Sequence, residues 1–219
     1  MALNKLKYNS LNVTPVANKA ISFDSDPDAL EATLSGGAMT FIKKLTASSS
    51  GTLSFVDGSS SVVLDNTYKE YMFIFKDIHP ATSNANFLFQ TSTDSGSNYN
   101  TTLTSTFFYA FHFESAAAAT LTYDANFDQA QGTAFQRIID AIGNGDDECG
   151  AGTLHLFNPS STTFVKHYMS NCNSYVNSPF TTNYYGGGYF NTTSAIDAVQ
   201  FKMSSGNIDA GTITLYGIN

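Results

Sequence analysis

Charge is the scarcest commodity in this sequence. Asp, Glu, Lys and Arg make up 13% of its 219 residues, about half of what soluble domains carry. There is one arginine, Arg137, and the lysines are scattered, with no run longer than Lys43–Lys44. With a net charge of −8, a groove that tracks phosphates is excluded, and so is attraction to an anionic membrane surface. Neither nucleic acid nor membrane insertion is therefore expected as a partner. Long apolar runs are missing as well: no window approaches the roughly eighteen residues of a membrane span. The opening "MALNKLKYNSLNVTPVANKA" has no continuous apolar stretch of the secretory kind, which predicts a product made and kept in a cytoplasm. Tryptophan is absent and cysteine is limited to Cys149 and Cys172. Those two read either as free thiols or as a disulfide between adjacent strands.

Catalytic signatures are missing too. The four histidines, His79, His112, His155 and His167, lie nowhere three to five residues apart, and no nucleophile-elbow, phosphate-loop or paired-cysteine pattern occurs. His155 and His167 fall on consecutive expected strands, where they read as polar positions on a sheet face and not as metal ligands. Asp146, Asp147 and Glu148 in "GNGDDE" lack the ligand spacing of a calcium loop. Glu114 and Asp140 have nothing around them that marks a glycosidase pair. No catalytic residue, metal site or cofactor is assigned, and no enzyme is expected.

What fills the chain is hydroxyl and amide: 50 Ser and Thr and 19 Asn. Thr favours strands, whereas Ser, Asn and Gly favour turns. From "SGGAMTFIKKLTA" onward, short apolar-alternating runs are separated by "SSSG", "VDGSSS", "SDSGSN", "GNGDDECGAG" and "NPSS". This pattern predicts an all-β fold, an antiparallel β-sandwich of jelly-roll type over residues 36–219. Residues 1–35, with sparse apolar positions, read as an extended N-terminal arm for attachment or oligomerisation. "YKEYMFIFKDI" and "TFFYAFHF" are apolar on both faces, so those strands are expected to be central and covered twice. Residues 135–142 fit a strand or a short helix, with strand favoured. The closing "AIDAVQFKMSSGNIDAGTITLYGIN" reads as a hairpin. Phe73, Phe75, Phe89, Phe111, Val199, Phe201, Ile213 and Leu215 are the expected core.

One segment suggests recognition. In "NSPFTTNYYGGGYFNTT", Tyr184, Tyr185 and Tyr189 crowd Gly186, Gly187 and Gly188, and Asn183 and Asn191 flank them. Read as a loop, this presents aromatic faces and amides to a ligand such as a host glycan or receptor, or else it caps one end of the sandwich.

The ending "GNIDAGTITLYGI", with "LTASSSGTLSF", "YKEYMFIFKDIHPAT", "TSTDSGSNY" and "LHLFNPSSTTFVKHY", resembles a family of structural proteins of tailed bacteriophages, notably of marine bacteria. The resemblance covers residues 36–219 and implies a virion component, a tail fibre or tail-associated module concerned with host attachment. A capsid decoration protein and a cellular carbohydrate-binding sandwich are the alternatives. A homo-oligomer is expected, a trimer, whose arm contacts other virion proteins.

Overall fold

The computed structural model describes residues 20–23, 30–33, 38–176 and 178–219, and all of its regular structure is β. Residues 1–38 and 39–219 form two units. In the first, β1 (Ala20–Phe23) and β2 (Leu30–Thr33) pair antiparallel, with Phe23 opposite Leu30. The rest of the expected arm lies outside the described residues.

The second unit holds β3 (Met39–Thr46), β4 (Leu53–Val56), β5 (Glu70–Pro80), β6 (Ala85–Ser92), β7 (Leu103–Phe113), β8 (Ala119–Tyr123), β9 (Gln136–Ile142), β10 (Gly150–Phe157), β11 (Lys166–Tyr175), β12 (Phe180–Phe190), β13 (Ala198–Met203) and β14 (Ile208–Ile218). Two antiparallel sheets result, ordered β3–β14–β5–β10–β11–β12–β7–β8 and β4–β13–β6–β9. The quartet β3–β14–β5–β10 and the small sheet together make a jelly roll, because the steps β3 to β4, β5 to β6, β9 to β10 and β13 to β14 each change sheet. The other four strands are insertions: β7 and β8 follow β6, and β11 and β12 follow β10. They widen only the large sheet.

Strict alternation builds the core. Tyr71, Phe73 and Phe75 of β5 point inward, and so do Ile213 and Leu215 of β14. After Phe75 the alternation skips a beat, with Lys76 and Asp77 both exposed, and Ile78 returns to the core. Asp77 has φ 53° and its partner strand bends at Gly211, φ 113°, where an added Cβ would stand 2.5 Å from the Asp77 carbonyl. This is a bulge that only glycine accommodates at position 211, and it keeps the inward register of β5.

Phe201 of β13 is the hub. Its ring lies 5.3 Å from those of Phe73 and Phe75 on the opposite sheet, and 5.7 and 6.3 Å from Phe87 and Phe89 on its own. Phe55 of β4 closes the cluster at 6.3 Å.

Residues 136–142 are a strand. Ile138, Ile139 and Ile142 are all buried, because register shifts against β6 turn neighbouring residues to the same side. Helix-like spacing therefore came from a bulged strand. Three expectations need correction. β13 and β14 do not form a hairpin but belong to different sheets, since alternation alone leaves the pairing partner open. Phe111 is half-buried, and Phe107 is the fully buried phenylalanine of β7. β5 is interior as expected, but β7 lies next to the edge strand β8. Among the described residues of the second unit no further layer covers the outer face of either.

Truncating Phe201 to alanine should cost about 3–5 kcal/mol, the range for a large aromatic removed from a packed core. Phe41, 59% exposed on β3, should cost less than about 1 kcal/mol when truncated. Urea unfolding of both variants checks this; equal losses would contradict the assignment of the core.

Candidate recognition face

The tyrosine and glycine run is a strand and not a loop. β12 pairs with β11 on one side and β7 on the other along its whole length, from Phe180 opposite Phe113 to Phe190 opposite Leu103. Alternation therefore divides the predicted residues between two faces. Thr182, Tyr184 and Phe190 turn into the core, as do the empty positions Gly186 and Gly188, whereas Asn183, Tyr185, Gly187 and Tyr189 face outward.

Tyr184 is thereby removed from any partner. It is 3% exposed, packs beside Phe107 and Tyr109, and donates its hydroxyl proton to the Asp140 carbonyl at 2.9 Å. Gly186 and Gly188 have internal reasons to be glycine. An added Cβ would stand 2.7 Å from Ser170 Oγ at the first and 2.4 Å from the Thr104 carbonyl at the second. Asn191 lies just past the strand; its N–H donates to the Thr102 carbonyl at 2.7 Å and its side chain to Gln131 Oε1 at 2.5 Å. The buried Lys166 steadies the next residues by donating to the carbonyls of Thr192 and Ser194, at 3.0 and 2.5 Å.

The outward set meets residues from distant segments. Tyr185 stands between Asn171 and Phe108, Gly187 between Met169 and Thr106, and Tyr189 between His167 and Thr104. The Tyr185 and Phe108 rings stack at 4.9 Å with 12° between their planes, and His167 lies 6.1 Å from Tyr189. One strand further, His155 Nδ1 and Glu70 Oε1 are 2.6 Å apart. Two open hollows flank Met169. One, of about 470 Å³, lies over Gly187 against Tyr189 and Phe157; the other, of about 430 Å³, lies against Tyr185, Asn171 and Thr153. Among the described residues no Asp, Glu, Lys or Arg lines either.

This chemistry continues across the outer face of the large sheet. Of the exposed large apolar residues among those described, Met39, Phe41, Phe108, Leu121, Tyr123, Met169 and Tyr185 all stand there; Phe164, in the β10–β11 connection, is the exception. Sequence reading found four outward residues of β12 and missed their neighbours on β7, β10 and β11, because cross-strand register joins positions far apart in the chain, from Tyr185 with Asn171 to Tyr189 with Thr104. The available signal was the apolar double face of "TFFYAFHF", whose Phe108 belongs to this surface.

The other candidate groups have structural roles. Arg137 binds Asp140 at 2.5 Å and lies 3.8 Å over the Phe127 ring. Burial raises the Asp140 pKa against the opposing pull of Arg137. Glu148 Oε2 accepts the Gly145 N–H at 2.6 Å within the acidic turn. Among the described residues no three His, Cys, Asp or Glu side chains cluster as metal ligands. Cys149 and Cys172 are free thiols.

Burial pushes the Cys172 thiol up to about 12 from 9.0, and the Tyr184 hydroxyl up to about 12 from 10.0. Both groups stay neutral in the fold while their unfolded counterparts ionise. The stability this represents is complete below about pH 9 and is lost as pH rises towards about 12. Urea midpoints should therefore fall between about pH 8 and pH 11, and Cys172→Ala should flatten the early part of that fall. An unchanged midpoint would contradict it.

Comparison of the chain with protein-family models, with curated proteins and with solved structures gives no match, so the outer face is interpreted from its own geometry.

Proposed function

We propose that the chain is a non-enzymatic structural protein of a tailed-phage virion, a tail-fibre or tail-associated module that meets the host surface through the outer face of its large sheet. One observation carries this reading: among the described residues the exposed large aromatic and apolar side chains, Phe164 apart, stand on that single face, and the two hollows at its middle are lined without Asp, Glu, Lys or Arg. Contiguous patches of this kind mark interaction surfaces. The sequence resemblance supports the virion context. Jelly rolls serve in capsid and lectin domains alike, and fold alone does not choose between those uses. In this reading the protein is a homo-oligomer, a trimer, held to neighbouring virion proteins through residues 1–35.

Gold-labelled antibody against the protein, applied to purified particles and viewed by negative stain, should decorate the tail. Gold on the heads would replace the host-surface reading with capsid decoration, and particles without gold would overturn the virion assignment.

A further inference from the structure

Glycine inside a strand costs conformational entropy and contributes no side chain to packing, so each one calls for a local reason. At Gly150, Gly152, Gly186, Gly188, Gly211 and Gly217 the reason is internal: an added Cβ would come within 2.7 Å of another atom of the chain. Gly187 differs. The nearest atom to its added Cβ is the Tyr168 carbonyl oxygen at 3.7 Å, an ordinary contact, and its φ is not in the left-handed region. A larger residue would fit the fold at 187. What it would destroy is the hollow of about 470 Å³ above the strand. A bare backbone in mid-strand that the chain itself does not require marks the close approach of something else.

The surroundings define the chemistry of that occupant. Tyr189, Phe157 and Met169 offer apolar and aromatic surface, while Thr104, Thr106 and His167 offer hydrogen bonds at the rim. A charged ligand would lose hydration here and gain no counter-charge from the described residues, whose lining side chains include no carboxylate, ammonium or guanidinium group, and the nearby Glu70 is engaged by His155. A pyranose ring matches on both counts, with an apolar C–H face and a rim of neutral hydroxyls. The second hollow repeats the combination with Tyr185, Asn171 and Thr153 on the far side of Met169, which suits a chain of sugars over a single one. We infer that the outer face binds a neutral polysaccharide, one ring lying flat over Gly187 and the next ones running past Met169 towards Tyr185. This rests on the reading of the outer face as the working surface.

The test is electrophoresis of the full chain through native gels cast with a mannan, a β-glucan, agarose or dextran, with anionic alginate as the contrast. At least one neutral polymer should retard the protein and alginate should not. Gly187→Leu fills the hollow and should weaken retardation by about tenfold or more in apparent affinity while the melting temperature holds. Tyr189→Ala should repeat the loss by removing the wall instead. Phe164→Ala, an exposed aromatic in the β10–β11 connection off this face, should bind as the unaltered chain does. Failure of every neutral polymer to retard the protein overturns the inference, as does undiminished binding by both hollow variants, or an equal loss in Phe164→Ala. A dimer in light scattering that Gly187→Leu dissociates makes a second copy the occupant and also overturns it. The gold-labelling result is independent: labelled tails without retardation sink the saccharide alone, and retardation with unlabelled particles sinks the virion role alone.

Discussion

The contact on which the rest of the structure depends is the phenylalanine cluster around Phe201, where a strand of the small sheet presses its ring between Phe73 and Phe75 of the large one. Burying those rings fixes which face of each strand is inward, because side chains alternate and a one-residue slip would turn every phenylalanine to water. Everything on the outer face follows. Once Phe73 and Phe75 are inside, Met72 and Ile74 must be outside. Pairing then carries the same parity across β10, β11 and β12 to β7. The outward placement of Tyr185, Gly187 and Tyr189 is thus dictated from several strands away.

Sheet width explains why the added strands matter. Adjacent strands lie about 4.8 Å apart, so eight strands span roughly 34 Å from first to last and four span roughly 14 Å. The small sheet cannot cover the whole inner face of the large one. Part of the remainder is covered by the segment between β8 and β9, where Phe127 packs on Phe107 and Gln136 donates to the Phe127 carbonyl at 2.8 Å and accepts from Ser105. A conventional roll thereby acquires a broad second platform. The hollows lie where that platform joins the roll, between β10 and β7.

The fold class and most strands were legible in the sequence because period-two alternation and turn residues are local signals. Residues 136–142 were harder, since bulges against β6 set Ile138 and Ile139 side by side and imitate a helical repeat. The pairing of β13 and β14 was not legible at all: the turn between them is short enough for a hairpin, and only the competition of β4, β6, β3 and β5 for their edges decides otherwise. The glycine run misled for a related reason. Three consecutive glycines are a loop signal in isolation, whereas Gly186 and Gly188 are glycine because Ser170 and the Thr104 backbone crowd them. Of the eight residues the sequence singled out around β12, four, Asn183, Tyr185, Gly187 and Tyr189, face outward, but their neighbours come from three other strands and needed the register.

The central claim is that the outer face of the large sheet remains free on the particle until it meets a host. Met169, 61% exposed in the middle of that face, reports on it, and Met203, 3% exposed in the core, is its internal control. Peroxide converts accessible methionine to the sulfoxide, which mass spectrometry locates. Met169 should oxidise readily on free particles and become protected after adsorption to host cells, with Met203 protected throughout. Protection of Met169 on particles that have never met a cell, or full reactivity after adsorption, would contradict the account.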